Sequence, residues 1–445
     1  METRFGVNTD MIMVKVIIVA VLVAIMLFPI CMVRSLIEER ENSQKNVQDE
    51  ISQKIGGVQR ITGPVLVLPF LNEVNKIGYA YCLPDDFRVD GNINTEARMR
   101  TLYKSLVYQS DLDIKGSFSL PDFDQLNIKQ ERIQWDDAFI LLGIPYLQGI
   151  KNKVVFNLNG KDFDVQPGVK GNTIINSGLT VNIPIDPSVS KFEFGFDLVL
   201  NGSQGLYITP VGKESKIHLK SPWETVSFSG DFLPGEKTMG KDGFDAQWDV
   251  FDYNRNYVQT WIGNNDILNK SSLGVEFKYP VDQYQMTMRS VKYAIIFIML
   301  TFVVFFLVEL LSRKRIHPVQ YLLVSCALIL FYTLLLAISE HLSFGLSYLI
   351  SAFATVALIT AYSKTMFKNI KQTCMMGIFL AMLYTYLYIV LQLENMSLLF
   401  GAVGLFIALA IVMFVLRNMD WYKKKDTSET DAEEAVEDNV DDYMP

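Results

Sequence analysis

The sequence predicts an α-helical integral membrane protein with six transmembrane helices and a large β-rich extracytoplasmic domain inserted between helices 1 and 2. Two observations lead to this fold class. The long uncharged apolar runs of the 445-residue chain lie almost entirely before residue 34 or after residue 292. Between them, Arg34–Lys292 carries 28 Lys/Arg and 33 Asp/Glu, a net charge of −5 that is typical of a soluble domain. No basic face of the kind that binds nucleic acid is evident.

Six segments are long enough to cross a hydrocarbon core of roughly 30 Å, which takes about 20 apolar residues in a helix. They are Val16–Val33, Tyr293–Leu311, Pro318–Ala337, Leu342–Tyr362, Cys374–Leu393 and Leu398–Leu416. The predicted domains are a cytoplasmic N-terminus (1–15), a first span (16–33), an extracytoplasmic β-rich domain (34–292), a five-helix domain (293–422) and a cytoplasmic tail (423–445).

The orientation follows from the short loops, because Lys and Arg collect on the cytoplasmic side. The loops after spans two, four and six hold ten of these residues, and the two opposite loops, Ile338–His341 and Glu394–Ser397, hold none. Both termini are therefore expected inside and residues 34–292 outside. The tail from Asp426 to Pro445 has nine acidic residues and no basic ones, so we expect it to be disordered.

The first span is interpreted as an uncleaved anchor. A cleaved signal peptide is the alternative, but the apolar run is longer than usual and no A-x-A-like site follows it. Pro29 and Pro318 are expected at or near span ends, where proline does little harm. In span six, Gly401 and Gly404 would allow close helix packing.

A helical stripe follows the first span. Val47, Ile51 and Ile55 are spaced by four residues, and Gly56–Gly57 supplies a stop signal. We expect this helix to continue the span outward and to dock on the domain, with a coiled-coil partner surface as the alternative.

Short strand-like runs dominate from Gly63 onward and predict a sandwich or a large antiparallel sheet. In Lys191–Leu200, apolar residues alternate with polar ones, as a half-buried strand requires. Asp85–Glu96 is more polar and is compatible with a loop, and Phe139–Leu147 with either strand or helix. The other strand candidates are Val65–Phe70, Lys153–Leu158, Leu179–Ile185, Gly205–Thr209, Ser215–Leu219 and Glu224–Ser229.

Catalytic and metal-binding patterns are not found. Cys82 is the lone cysteine of the central domain, so no disulfide can form within it, and no cysteine pair has metal-ligand spacing. The three histidines are scattered, and His218 is expected to be a partly exposed strand residue. No nucleophile, zinc-peptidase or phosphate-loop motif occurs, so the sequence predicts no catalytic residue, no metal site and no cofactor.

Charges near the membrane lie close to span ends. Glu309 stands four residues before Arg313, a favourable helical spacing. Glu340, His341 and Glu394 fall in the predicted outer loops and are candidates for an outer polar site, with a simple interfacial role favoured. No charged residue or histidine occupies the middle of a span, which disfavours an ion-coupled transporter.

Three strings after residue 280 are distinctive: Pro280–Gln285, Arg289–Tyr293 and His317–Leu322. Further strings of this kind are Leu36–Arg40, Gly63–Phe70, Val107–Phe118, Ser229–Pro234, Asn254–Trp261, Ser339–His341, Leu391–Glu394 and Asp420–Tyr422. Together they resemble the CreD family of bacterial inner-membrane proteins, most closely after residue 280.

The resemblance implies a plasma-membrane protein associated with cell-envelope integrity, and it assigns no catalytic residue. We therefore expect a non-enzymatic binding or assembly role in the envelope, with the lipid bilayer and envelope or cell-wall components as partners. A transporter or export component is the first alternative. A membrane-bound enzyme of the outer leaflet, using some of Glu340, His341 and Glu394, is the second. The sequence names no ligand and no oligomeric state.

Overall fold

The chain divides into two compact units. The computed structural model describes residues 9–100, 103–170, 174–263, 268, 271–278, 283–312, 316–393 and 396–417. One unit takes in the described parts of Met1–Glu41 and Asp282–Pro445, which are helical, and the other takes in those of Asn42–Val281, which are rich in strands. The predicted combination of apolar helices with a large β-rich part is confirmed at this level.

Within the described residues the chain forms seven α-helices: α1 (Thr9–Ile55), α2 (Gln283–Lys292), α3 (Ala294–Ser312), α4 (Pro318–Ser339), α5 (Phe344–Phe367), α6 (Ile370–Gln392) and α7 (Ser397–Leu416). By length and composition, α1, α4, α5 and α6 can each cross a membrane. α2 and α3 together make a fifth candidate, bent by 44°, and α7 has a shorter apolar stretch, Leu399–Phe414. The described helices thus provide four or five spans by this criterion, against the six predicted.

Helix α1 runs without a break from Thr9 to Ile55, so the predicted continuation of the first span is confirmed. Pro29 consequently lies inside the helix, and its place near the end of the membrane span stays a prediction. A proline in a helix interior removes one backbone hydrogen bond. Membrane helices tolerate this loss where local adjustments satisfy the freed carbonyl.

The end of α1 packs on the β-rich unit, as expected. The N–H groups of Gly56 and Gly57 donate to the Ser52 carbonyl at 3.0 and 2.6 Å, and Gly57 has a φ of +56°, which confirms the predicted stop. The Ser52 hydroxyl is hydrogen-bonded to the Ser203 hydroxyl. Gln148 Nε2 donates to the carbonyl of residue 53 at 2.9 Å.

The described strands of the β-rich unit are β1 (Gln59–Leu71), β2 (Ile77–Cys82), β3 (Asp86–Arg100), β4 (Tyr103–Ser119), β5 (Phe139–Gly143), β6 (Val155–Leu158), β7 (Lys161–Asp164), β8 (Gln166–Pro167), β9 (Gly178–Asn182), β10 (Lys191–Ser203), β11 (Gly205–Ile208), β12 (Glu214–Ser221), β13 (Val226–Gly230), β14 (Glu236–Gly240), β15 (Gly243–Phe251), β16 (Thr260–Ile262) and β17 (Leu273–Phe277).

These strands form two sheets. One has nine strands in the order β13-β17-β11-β1-β5-β9-β8, with β2 beside β1 and β16 beside β2. The other has eight strands in the order β14-β15-β12-β3-β4-β10-β6-β7. The pairs β1·β11 and β3·β12 are parallel.

One hydrophobic core joins the two sheets into a sandwich. Phe228 of the nine-stranded sheet meets Phe244 and Trp248 of the eight-stranded sheet edge-on, each with ring centroids 5.8 Å apart. The ring centroids of Phe277 in the nine-stranded sheet and Tyr108 in the eight-stranded sheet are 5.3 Å apart. Such aromatic contacts add to the burial of apolar area that stabilises a sandwich.

The strand predictions agree with the structure except in one place. Asp85–Glu96, compatible with a loop by its polarity, is mostly strand β3. The error has a physical cause: Phe87, Val89 and Ile93 face the core, while the polar residues between them face solvent. Phe139–Leu147 begins with strand β5, which is buried throughout.

Gly63 shows why β1 needs a glycine beside β5. Its φ is +107°, and a Cβ there would lie 2.7 Å from the Leu141 carbonyl oxygen. The pairing of β1 with β5 shifts register between Thr62 and Val65 at this point. Only a residue without a side chain allows the two backbones to approach so closely.

Cys82 is a free thiol buried in the core, as its isolation in the sequence implied. Burial raises the pKa of this thiol to about 12, because a low-polarity surrounding disfavours the thiolate. The side chain acts as a small apolar residue, and packing stabilises the unit without a disulfide of its own.

We expect Phe156→Ala to destabilise the β-rich unit by about 3–5 kcal/mol, the usual cost of removing a fully buried aromatic ring. Phe156 is 0% exposed, and its ring stacks on Phe194 and Phe196 at 5.9 and 5.4 Å. Denaturant unfolding can be followed by tryptophan fluorescence, since this unit holds Trp135, Trp223, Trp248 and Trp261.

The matched control is Tyr253→Ala, which removes a ring that is 77% exposed. Its free energy of unfolding should stay within about 0.5 kcal/mol of the wild type. Equal effects of the two substitutions would contradict the assignment of Phe156 to the core.

Candidate functional site

The outer polar residues predicted from the sequence are brought together only in part. Glu340 caps the end of α4 and has a side chain that is 13% exposed. Its Oε1 lies 3.9 Å from Arg40 Nε of α1 and accepts a hydrogen bond from Tyr284 Oη of α2 at 3.2 Å. His341 is exposed, and Glu394 lies outside the described residues. Glu340 is therefore an interhelical contact, and a three-residue site is not formed by the residues that can be assessed.

Glu309 forms a second buried polar cluster near the end of α3. Its carboxylate is ion-paired with Lys15 Nζ of α1. It also accepts hydrogen bonds from Tyr321 Oη of α4 at 3.0 Å and from the Ile316 backbone N–H at 2.8 Å. The predicted partner, Arg313, lies outside the part of the chain that the structure describes. The Lys15 contact was missed because it joins residues far apart in sequence.

An extended polar surface on the β-rich unit was not predicted. We call it the charged face: the solvent-facing side chains of β12, β3, β4 and β10 in the eight-stranded sheet. Polar and charged residues alternate with core residues along each strand, as period-two geometry requires. This alternation could have predicted the charged face from the sequence, but only with Asp85–Glu96 recognised as a strand.

Three cations lie side by side across the charged face and form the basic row. Lys216 on β12 pairs in register with Arg88 on β3, and Arg88 pairs with Lys115 on β4. Like charges directly opposite each other on neighbouring strands are destabilising. The row is therefore not explained by the stability of the sheet.

Two acidic rows flank the basic row, each two residues away along the strands. Because side chains on one face recur every second residue, the rows are separated by roughly 6.6–6.8 Å. The first acidic row contains Glu214, Asp86 and Glu193, and the second contains Asp90, Asp113 and Asp197.

Each cation of the basic row pairs with an acidic residue on its own strand. The distances are 3.1 Å for Arg88–Asp86, 2.5 Å for Lys115–Asp113 and 2.7 Å for Lys216–Glu214. The hydrogen bond that Lys115 donates to Asp113 raises the pKa of Lys115, and the one that Lys216 donates to Glu214 raises the pKa of Lys216. Both lysines thus remain charged at neutral pH, but such exposed pairs contribute little to stability.

His218 joins the second acidic row to strand β15. Its Nε2 is 2.9 Å from Asp245 Oδ1, and its Nδ1 is 3.5 Å from Asp90 Oδ1. The side chain is 28% exposed, in agreement with the expected partly exposed strand histidine. Within the residues that can be described, no group of three or more His, Cys, Asp or Glu side chains could hold a metal ion.

Two adjoining concavities of about 960 and 300 Å³ lie over the charged face. Both are lined by Arg88, Asp113 and Lys115. Gly195 lies directly opposite Lys115 on β10 and adds no side chain, so the larger concavity extends past it to Asn157 of β6. From β12 to β6 the surface spans four strand spacings, roughly 19 Å. It can accommodate an extended ligand or a protein segment.

Comparison with known proteins gives one strong match. The family described as "Inner membrane protein CreD" matches residues 11–422. The curated "Inner membrane protein CreD" of Escherichia coli (strain K12) is 32% identical over 416 residues, covering 90% of this chain and 91% of the relative.

Two solved structures with weak likeness to this chain illustrate the comparison with known folds. A two-domain M1 zinc metallopeptidase bound to L-tryptophan has a TM-score of 0.19, with 10% identity over 43% of this chain and 42% of that one. The M1 zinc metallopeptidase of Deinococcus radiodurans has a TM-score of 0.18, with 10% identity over 43% and 41%. At TM-scores this low the likeness carries no argument about fold, metal or activity.

The buried Glu309–Lys15 pair should couple α1 to α3. We expect Lys15→Met to destabilise the helical unit, because it leaves a buried carboxylate without its counter-charge. Adding Glu309→Gln should restore part of the loss, giving a coupling free energy of about 0.5–3 kcal/mol. Thermal unfolding of the full chain in detergent measures it.

The exposed pair Arg34–Glu38 on α1 is the control. Its atoms are 3.0 Å apart, and its side chains are 58% and 49% exposed. A double-mutant cycle built from Arg34→Met and Glu38→Gln should give a coupling free energy of about 0.5 kcal/mol or less. If the Lys15–Glu309 and Arg34–Glu38 pairs gave the same coupling free energy, the buried pair would not stabilise the packing of α1 against α3.

Proposed function

The chain belongs to the CreD family of inner membrane proteins, and on that premise we propose that its β-rich unit is a non-enzymatic binding module that contributes to envelope integrity. The family match and the apolar helices support a multi-pass location in the inner membrane. The observation that carries the binding role is the charged face, whose charge pattern sheet stability does not require.

We also propose six spans, with both termini in the cytoplasm and residues 34–292 outside. In this arrangement α3, which begins just after the bend that follows α2, is the second span, and α7 is the last one. The loop charges support the orientation, with ten Lys and Arg on one side and none on the other.

The partner of the charged face should carry both signs of charge. A ligand with charges of one sign would be attracted by the basic row and repelled by the acidic rows, or the reverse. A polymer or protein segment with carboxylate and ammonium groups roughly 7 Å apart matches the spacing of the rows. The amino-acid part of a cell-wall polymer and an envelope protein both have this chemistry.

A catalytic or transport role has less support. Glu340, a candidate of the enzyme hypothesis, is engaged with Arg40 and Tyr284. Glu309 is engaged with Lys15 and Tyr321, near the end of α3. Both carboxylates are largely buried in these contacts, and the predicted spans have no charge near their middle.

The charged face can be tested by crosslinking in native membranes. A photo-reactive amino acid at exposed Asn92 on β3 should capture a partner, and one at exposed Gln130 should not. The triple variant Arg88→Ala, Lys115→Ala, Lys216→Ala should reduce the captured product about tenfold, since exposed charge contacts contribute roughly 0.2–1 kcal/mol each.

The matched control replaces three exposed lysines away from the face: Lys76→Ala, Lys129→Ala and Lys241→Ala. It removes the same net charge and should leave capture unchanged. Both triple variants should stay within about 0.5 kcal/mol of wild-type stability. Equal capture by all three proteins would refute the role of the basic row.

The orientation has its own test. A reporter that is active only outside the cytoplasm should be active when fused after Asn201 and inactive when fused after Ser363. A cytoplasmic reporter should give the reverse pattern. The opposite result at either position would overturn the proposed topology while leaving the β-rich unit a candidate for binding on the other side.

A further inference from the structure

An apolar groove runs along three helices of the helical unit, between α3, α6 and α7. Its volume is about 290 Å³. Its walls are aliphatic and aromatic, and the polar atoms of its side chains are the hydroxyls of Tyr293 and Tyr386. Neither the family match nor the proposed binding role accounts for it.

The groove is long and narrow. It extends from Tyr293, just before α3, to Leu307 on α3 and from Gly401 to Val412 on α7, which corresponds to roughly 17–21 Å at 1.5 Å per residue. A volume of about 290 Å³ spread over that length admits one hydrocarbon chain. It does not admit a helix from a second copy, because a helix with its side chains is roughly 10–12 Å wide.

Packing of α7 explains why the groove exists. Among the α7 side chains that the structure describes, none is buried. Gly401 and Gly404 face the groove, and a Cβ on Gly401 would still be 3.8 Å from the nearest side-chain atom, Cε1 of Tyr293. The predicted close packing at these glycines is therefore achieved only at Gly404, which meets Tyr386. An unfilled apolar space forfeits dispersion contacts, so an apolar occupant would stabilise the helices around the groove.

One end of the groove has the chemistry of a membrane interface. Tyr386 Oη donates to the Phe400 carbonyl, and Tyr293 lies beside Gly401 at the same end. Tyrosines favour the headgroup level of a bilayer. Lys292, which precedes Tyr293 at the bend between α2 and α3, is exposed and can hold its ammonium group at that level.

We propose that this groove binds one acyl chain of an anionic phospholipid, whose phosphate lies beside Lys292. The chain fills the apolar space between α3 and α7, and the cation selects the charged headgroup. The proposal depends on the membrane location of the helices and is independent of the binding role of the charged face.

The groove can be filled by mutation. Gly401→Leu with Ala408→Phe places side chains in it, since both residues line it and Gly401 has room for a Cβ. The matched control, Ala402→Leu with Ala410→Phe, makes the same kind of enlargement at exposed positions of the same helix.

The full chain is reconstituted with phosphatidylglycerol that carries a photo-reactive acyl chain, and labelled peptides are mapped by mass spectrometry. Labelling at groove residues of α3 and α6 should fall about tenfold in the filled variant, the change that corresponds to 1.4 kcal/mol. It should be unchanged in the control. Equal labelling in the two variants, or labelling confined to the exposed side of α7, would overturn the proposal.

A second arm tests the headgroup. Diacylglycerol with the same photo-reactive chain should label the wild-type groove about fivefold less, since one lysine near an anionic surface contributes roughly 1 kcal/mol. Lys292→Gln should remove that difference while the protein keeps its elution volume and unfolding temperature. Equal labelling by the two lipids in the wild type would overturn the assignment of an anionic phospholipid.

Discussion

The pairing of β3 with β4 is the constraint on which the β-rich unit depends. Their registered pairs run from Asp86↔Ser117 to Arg100↔Tyr103, and β3 and β4 join β12 on one side to β10 on the other. This register turns Phe87 and Val89 into the core. A slip of one residue would exchange the two faces, so core packing and the charged face are set together.

The helices of the helical unit are held together by a different kind of interaction, buried polar contacts between side chains. In a bilayer, burial of apolar area does not drive helix association, and specific polar contacts gain weight. Glu309 connects α1, α3 and α4, and Glu340 connects α1, α2 and α4. No described side chain of α7 is buried, and the apolar groove lies beside this helix. The same unit therefore combines helices joined by buried polar contacts with one helix that borders an apolar groove.

The predictable features are those that local sequence carries. The stop at Gly56–Gly57 and the alternation in β10 follow from nearest neighbours, and the structure confirms both. β3 was misread because its outward half is as polar as a loop, and polarity alone does not reveal which residues face inward. The lysine partner of Glu309 could not be found either, because the two residues are 294 positions apart.

By itself, the sequence determined that the chain combines apolar helices with a large β-rich part, because hydrophobic length and period are properties of consecutive residues. Only the tertiary structure decided that Lys216, Arg88 and Lys115 form one row, since their alignment depends on hydrogen-bonded register between distant strands. It also decided that α3, α6 and α7 enclose a groove. Such a space results from how helices pack, and no single helix encodes it.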